Sequence, residues 1–302
     1  AAHFAYLNIA DGCNRGCSFS AIPSIRVRFV RKPFDVVVDE GKRLADSGVK
    51  EISLIAQETT YYGVDLYGKP TLSKLIERLE QIDGIEWIRL MYTYPLLFDD
   101  NLIAHFGAGG KLLPYLDIPL QHCNDEILSQ MKRVVTRKQT EQLLQRLRES
   151  SNDLVLRTSL IVGFPGETDT MFNELTEFVK KWKFERAGIF RFSSEDGTAA
   201  SKLDNKVPQK VINQRYNELE KVQQELTKRY ARQQIGKQIA VIIDAPFEET
   251  NGKIVADCFI GRAKSDAPDI DPYIIVGGQT EVGRIEKCEV VEVSGNNLVA
   301  VI

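Results

Sequence analysis

Cysteine is scarce in this chain: there are five in 302 residues, at positions 13, 17, 123, 258 and 288, an odd number and scattered apart from the first pair. That distribution argues against a disulfide framework and fits a reducing compartment. Long apolar runs are missing as well. None reaches the ~18 residues that a membrane-spanning helix needs, and the N-terminus carries no signal-peptide pattern, so the expected location is the cytoplasm. There is no strong charge of one sign either: a formal charge of -3, with 43% hydrophobic and 27% charged residues, is a soluble globular composition. The length suits one large domain and one small one. The chain opens on Ala1 rather than Met, and a strand pattern begins almost at once. That start reads as a fragment lacking an upstream region.

Short apolar runs of strand type alternate with longer amphipathic ones. Residues 5–9, 51–55, 87–91, 115–118, 154–158 and 187–190 read as strands, with helical patterns near 35–48, 71–82, 99–106, 124–148 and 168–182. Six strand-then-helix units imply a parallel sheet, curved or closed, which binds ligands at the carboxyl ends of its strands. The polar and Gly-rich segments fall at those ends. They are the Cys13 loop, Ala56 to Thr60, Tyr92-Thr93-Tyr94-Pro95, Pro119-Leu120-Gln121-His122-Cys123, and Val162 to Thr168.

After Pro208 a helix with Tyr216, Leu219, Val222, Leu226 and Tyr230 on one stripe runs to near Gly236 and reads as a packing helix between domains. From Lys237 the pattern changes to short β runs at 238–243, 253–259, 273–276, 288–293 and 298–302. Turn pairs such as Asn251-Gly252 and Ser294-Gly295 separate them, which predicts a small all-β barrel or sandwich. The expected organisation is 1–207, a connecting helix 208–235, and 236–302.

The first loop carries the chemistry. Asp11-Gly12-Cys13-Asn14-Arg15-Gly16-Cys17-Ser18-Phe19-Ser20 resembles the Cys-x-x-x-Cys-x-x-Cys loop of radical S-adenosylmethionine (SAM) enzymes, except that Ser20 stands at the third ligand position. In that family three thiolates hold three irons of a 4Fe-4S cluster, and the fourth iron chelates SAM. A hydroxyl is a harder ligand with a far higher pKa than a thiol, so Ser20 would hold iron poorly. The alternative for two cysteines four apart is that they are buried small hydrophobes.

Taken whole, the chain is similar to the methylthiotransferase branch of the radical SAM enzymes, and within it to the RimO type, which modifies an aspartate of small-subunit ribosomal protein twelve. The distinguishing matches are Ile55 to Gly68, Asp117-Ile118-Pro119-Leu120-Gln121-His122 and Asp266-Ala267-Pro268-Asp269-Ile270-Asp271. Arg157 to Thr168 and Phe192 to Thr198 match both this branch and its tRNA-modifying sister. The resemblance implies an α/β fold, a partial six-unit β/α (TIM-like) radical SAM barrel followed by an all-β, OB-like TRAM domain. It implies two cofactors in the barrel, a 4Fe-4S cluster and SAM, which together generate a 5'-deoxyadenosyl radical. A second 4Fe-4S cluster is implied only in an upstream domain, of which this chain contains no counterpart.

On the same resemblance the metal positions are Cys13, Cys17 and Ser20, and the SAM contacts are Phe19, Gln57, Glu58, Gln121, His122, Arg157, Ser159 and Gly163; no catalytic residue is assigned. Most have a structural alternative: core packing for Phe19, turn capping for Gln57 and Glu58, a satisfied interior histidine for His122, an interior ion pair for the Arg157 and Ser159 positions, and a plain turn N-capped by Thr168 for the Gly163 segment. Cys123 is a candidate replacement thiolate or a small residue beginning a helix. The family usually has glycine where this chain has Val27.

From Gly236 to Ile302 eleven acidic residues stand against six basic ones. RNA binding rests on Lys and Arg neutralising phosphates, so this domain is a poor RNA module, and it suits a basic protein such as the ribosomal one. The three readings are therefore a protein-modifying methylthiotransferase, a tRNA methylthiotransferase, and a binding protein that keeps the fold without the cluster.

Overall fold

The computed structural model describes residues 3–26, 28–248, 252 and 254–302. The expected glycine-type position at Val27, the turn residue Asn251, the strand start at Lys253 and the carboxylate of Glu249 lie outside the described residues. The chain opens with β1 (Phe4–Asn8), and an antiparallel pair, β2 (Ala10–Asp11) and β3 (Val30–Arg31), brackets the cysteine loop, which contains a single turn, α1 (Ile22–Ile25). Then follow α2 (Phe34–Asp46), β4 (Glu51–Ile55), α3 (Val64–Tyr67), α4 (Leu72–Glu80), β5 (Trp87–Leu90), α5 (Asp100–His105) and β6 (Leu112–Asp117). The large unit ends with α6 (Asp125–Gln130), α7 (Arg137–Ser150), β7 (Val155–Val162), α8 (Asp169–Trp182) and β8 (Arg186–Arg191). Its six long strands pair in parallel in the order β1-β4-β5-β6-β7-β8, the sheet the alternating pattern predicts.

The helix expected over 124–148 is two helices. Asn124 caps α6 by accepting from Glu126 N and Ile127 N, and Lys132 then turns the chain left-handed at φ 56. Thr136 starts α7 through a capping box with Gln139. Period-3.6 patterning runs through both helices, so the break is carried by caps rather than by hydrophobicity.

Helix α9 (Gln209–Arg232) leads to β9 (Gln238–Glu248), β10 (Ile254–Ala263), β11 (Ile274–Gly277), β12 (Ile285–Ser294) and β13 (Asn297–Val301), which close a barrel in the order β10-β11-β13-β12-β9. This small barrel has its own core of Val241, Ile243, Val276, Cys288, Val290 and Ala300.

Strand alternation sorts the large sheet into two faces. Ile52, Leu54, Ile88, Leu90, Leu116, Leu156 and Leu160 pack under the helices. The opposite face presents Trp87, Met91, Leu113, Tyr115 and Val155, which pack against Ile242 and Ala267 of the small barrel. The second domain therefore covers part of the sheet's inner face instead of sitting beside it.

Buried ions reinforce that seat. Glu51, fully buried in β4, accepts from Arg89 Nε at 2.8 Å and from Arg262 Nη1 of the small barrel at 2.5 Å. Arg262 also donates to both oxygens of Asp244, at 2.7 and 2.9 Å, and His3 Nε2 lies 2.6 Å from the same carboxylate. Arg186 donates to Asp266 at 2.6 Å. Asp271 accepts from Tyr115 Oη at 2.6 Å and from Ala267 N at 2.8 Å. Not all of the acidic residues counted toward a partner surface are free to meet one: Asp244, Asp266 and Asp271 are consumed by arginine, histidine and tyrosine side chains inside the chain. Glu248, Asp257, Asp269, Glu281, Glu289 and Glu292 remain exposed.

Candidate functional site

The loops after β1, β4, β5 and β6 enclose a cavity of about 160 Å³ whose lining includes Cys13, Arg15, Cys17, Phe19, Ser20, Gln57, Glu58, Tyr94, Gln121 and Arg133. It lies at the carboxyl ends of the strands, where the open sheet leaves backbone groups and loops free to meet a ligand.

The cysteine loop is fixed from several sides. Ser18 Oγ donates to Gln130 O at 2.7 Å, Ser18 N donates to Met131 O at 3.0 Å, and Ala200 N donates to Ser18 O at 2.8 Å. Asn14 Oδ1 accepts from Phe29 N at 3.1 Å. Cys13 Sγ accepts from Arg15 N at 3.3 Å. Burial pushes the Cys13 thiol up, and the Arg15 N–H only partly opposes this. Ser20 Oγ accepts from Ile22 N at 3.2 Å, at the start of the short α1 turn.

Glu58 is only 3% exposed, and its charge is answered by Arg15, which donates Nε and Nη2 to it at 2.8 and 2.7 Å. The Arg15 guanidinium lies over the Tyr94 ring at 4.1 Å, and that of Arg133 lies 4.3 Å from the same ring. Gln57 Oε1 is buried with no hydrogen-bond partner.

Two residues at this rim hold left-handed backbone without being glycine, Tyr92 at φ 55 and Gln121 at φ 72. Such conformations cost ~1–3 kcal/mol each and persist where surrounding bonds fix them. Asp117 fixes the first: its Oδ2 accepts from Tyr92 N at 3.0 Å, and its carbonyl accepts from Thr93 N at 3.0 Å and Thr93 Oγ1 at 2.6 Å. The second is held between Ser159 O and Ile161 N, both at 2.8 Å.

Of the residues singled out in the sequence, Cys13, Cys17, Phe19, Ser20, Gln57, Glu58 and Gln121 come together around this cavity. Four do not line it. Arg157 projects from the inner face of β7 and donates to Asp117 at 2.8 Å, with Asp271 of the small barrel 3.8 Å from its Nε. Ser159 lies two residues further along the same strand, half-buried. His122 accepts from Asn124 N through Nδ1 at 3.0 Å, leaving its Nε2 3.3 Å from Glu167 with both side chains fully buried. Gly163, at φ 77, donates to Glu167 at 3.1 Å, and a Cβ there would meet Ile212 of α9 at 2.4 Å. Thr168 N-caps α8 by accepting from Met171 N. Cys123 is 2% exposed within the main core and does not line the cavity; burial pushes its thiol up to about 12.

Sequence reasoning missed Arg15, Tyr94 and Arg133. Arg15 sits between the two cysteines and Tyr94 within a strand-end segment already marked as polar, so both were within reach. Arg133 comes from the break between α6 and α7, and no local pattern marks it.

Two thiols and one hydroxyl face the cavity, one thiolate short of the three that hold a 4Fe-4S cluster in the family. Among the described residues no other group of His, Cys, Asp or Glu is arranged to hold a metal ion.

A model of the radical SAM superfamily matches residues 7–179, and one of the TRAM domain matches 235–302. Relatives named ribosomal protein uS12 methylthiotransferase RimO include those of Bacteroides fragilis, 41% identical over 96% of this chain and 66% of its own length, and of Myxococcus xanthus, 43% identical over 98% and 61%. That of Bacteroides thetaiotaomicron is 41% identical over 99% of this chain and 67% of its own. The chain thus spans about two thirds of the length of these relatives. Among solved structures, the Escherichia coli coproporphyrinogen III oxidase HemN, described as a radical SAM enzyme, shares the fold at TM-score 0.54 and 14% identity, covering 86% of this chain and 67% of that one. The methyltransferase TsrM of Kitasatospora setae, with cobalamin and a 4Fe-4S cluster bound, does so at TM-score 0.52 and 19% identity, covering 62% and 36%. The family's cofactors are a 4Fe-4S cluster and SAM, and this chain, with its radical SAM sheet and TRAM barrel, belongs to the radical SAM superfamily and within it to the uS12 methylthiotransferase family.

Proposed function

We propose that this chain is the barrel-and-TRAM core of a methylthiotransferase that modifies an aspartate of ribosomal protein uS12 in the cytoplasm. The observation that carries the reading is the agreement between its 41–43% identity to uS12 methylthiotransferases over nearly its whole length and a cavity that gathers Cys13, Cys17, Gln57 and Glu58 at the strand ends. Among the described residues, the exposed carboxylates of the small barrel, Glu248, Asp257, Asp269, Glu281, Glu289 and Glu292, outnumber its exposed cations, Lys237, Lys264, Arg284 and Lys287, a balance that suits a basic protein better than a polyanion. Bound cofactors would supply the radical chemistry, while this chain's own residues position ligands and exclude water.

The test is binding of purified uS12 and of tRNA to the whole chain at increasing salt. Saturable uS12 binding that weakens as salt screens the acidic face, with no comparable tRNA affinity, is expected. Retention of tRNA with uS12 ignored favours the tRNA-modifying branch instead. A second reading, a binding protein that keeps the fold without its cluster, is favoured by Ser20 alone. It predicts uS12 binding that neither iron nor SAM alters.

A further inference from the structure

We propose that Arg133 is the carboxylate-binding residue of the cavity, placed to receive a carboxylate from the amino-acid end of SAM or from an acidic side chain of the target. Arg133 is 8% exposed and lines the cavity beside Gln57, Tyr94 and Gln121. Among the described residues its only side-chain hydrogen bond goes from Nη2 to the neutral carbonyl of Pro119, at 2.5 Å. Its Nε is buried and has no partner, and no carboxylate among the described residues lies within ion-pairing distance. Arg15, the other guanidinium of the cavity, is fully answered by Glu58.

The charge count follows from this pairing. One arginine and one glutamate cancel, and Arg133 leaves the lining with a surplus of one positive charge in a half-open cavity. A buried ion without a partner costs several kcal/mol, so the stable occupant of such a site is an anion. The geometry narrows the class. Contact with the Tyr94 ring orients the guanidinium plane, and the carbonyl of Pro119 takes one Nη2 hydrogen, which leaves the planar group with unpaired N–H donors of the kind that suit a carboxylate.

The role of Arg133 rests on the cavity alone; only the second source of the carboxylate rests on the reading proposed above. Two probe pairs separate the sources. The whole chain is titrated calorimetrically with SAM and with decarboxylated SAM, and by NMR with capped aspartyl and asparaginyl tripeptides. In at least one pair the carboxylate-bearing member should bind about 10- to 100-fold more tightly, the worth of a hydrogen bond to a charged group. Arg133→Gln should abolish that preference, and Arg133→Lys, which keeps the charge without the fork, should retain part of it. Preference confined to the SAM pair assigns the site to the cofactor, and preference confined to the tripeptides assigns it to the target. A native chain indifferent to the carboxylate in both pairs overturns the proposal, whether or not the glutamine variant folds. So does a preference that survives Arg133→Gln. Loss of uS12 binding alongside an intact SAM preference sinks the functional reading and leaves Arg133 in its role.

Discussion

Arg262 in the small barrel reaches Glu51 in the second strand of the large sheet, and both are buried. Glu51 is also the partner of Arg89, so removing its charge leaves Arg89 without a carboxylate and Arg262 with Asp244 alone. We expect Glu51→Gln to cost about 3–5 kcal/mol, the scale of a broken buried pair. Arg262→Met should cost less, because Glu51 keeps Arg89. Trp87, packed against Ile242 and Ala267, reports the junction by fluorescence during urea unfolding. Equal stability of the native chain and Glu51→Gln would show that the ion cluster does not hold the domains together.

The same junction gives an acid limb. Burial disfavours ionised Asp244, but hydrogen bonds from His3 and Arg262 outweigh it and hold the carboxyl below its ordinary 3.8. A depressed folded-state pKa stabilises above the unfolded value and loses that contribution as the pH falls through the folded one. Stability should therefore drop as the pH falls below about 4, and Asp244→Asn should flatten that drop. Asp271 acts in the opposite sense: burial, the largest cause, raises its pKa, so its contribution fades as the pH rises through the raised value. Chemical denaturation at a series of pH values, on Asp244→Asn and on Asp271→Asn, separates the two slopes. An unchanged acid limb in Asp244→Asn contradicts the assignment.

Within the cavity, Glu58 and Arg15 form the pair on which the ligand wall depends. Glu58→Gln leaves the half-buried Arg15 without its carboxylate and should destabilise by about 1–3 kcal/mol, whereas Glu58→Gln combined with Arg15→Met should recover part of that loss. The double-mutant cycle, measured by urea denaturation, isolates the pair. Strict additivity would falsify the coupling.

The alternation of strands and helices made the sheet legible because each element buries one face and the periods 2 and 3.6 are written into the residues. What covers the inner face was not legible: Trp87, Arg89 and Tyr115 alternate correctly, but nothing local says that Ile242, Arg262 and Asp271 from far along the chain will meet them. For the same reason Asp266 and Asp271 counted as surface charge in the sequence and are buried in the structure. Cys13, Cys17, Gln57 and Glu58 could be found because strand ends collect ligands in such sheets. Arg133 could not, since its place depends on the break after α6 turning the chain back toward Tyr94.

The last prediction concerns Ser20. Its hydroxyl accepts from Ile22 N, so it serves the α1 turn as it stands, while the cavity presents only two thiols. A thiolate is the soft ligand that ferrous and ferric iron prefer in clusters, and a serine hydroxyl stays protonated far above neutral pH. Anaerobic reconstitution of the unaltered chain should therefore yield little iron or an unstable cluster. Ser20→Cys should bind about four irons per chain, the number of a 4Fe-4S cluster held by three thiolates. The substitution exchanges one small side chain for another of similar shape, so folding should change little and iron and sulfide content reads the ligand directly. Stable, stoichiometric iron in the unaltered chain would contradict this and make Ser20 a true ligand. Failure of Ser20→Cys to gain iron, with Cys13 and Cys17 intact, would place the cluster's limit in the loop geometry and not in the missing thiol.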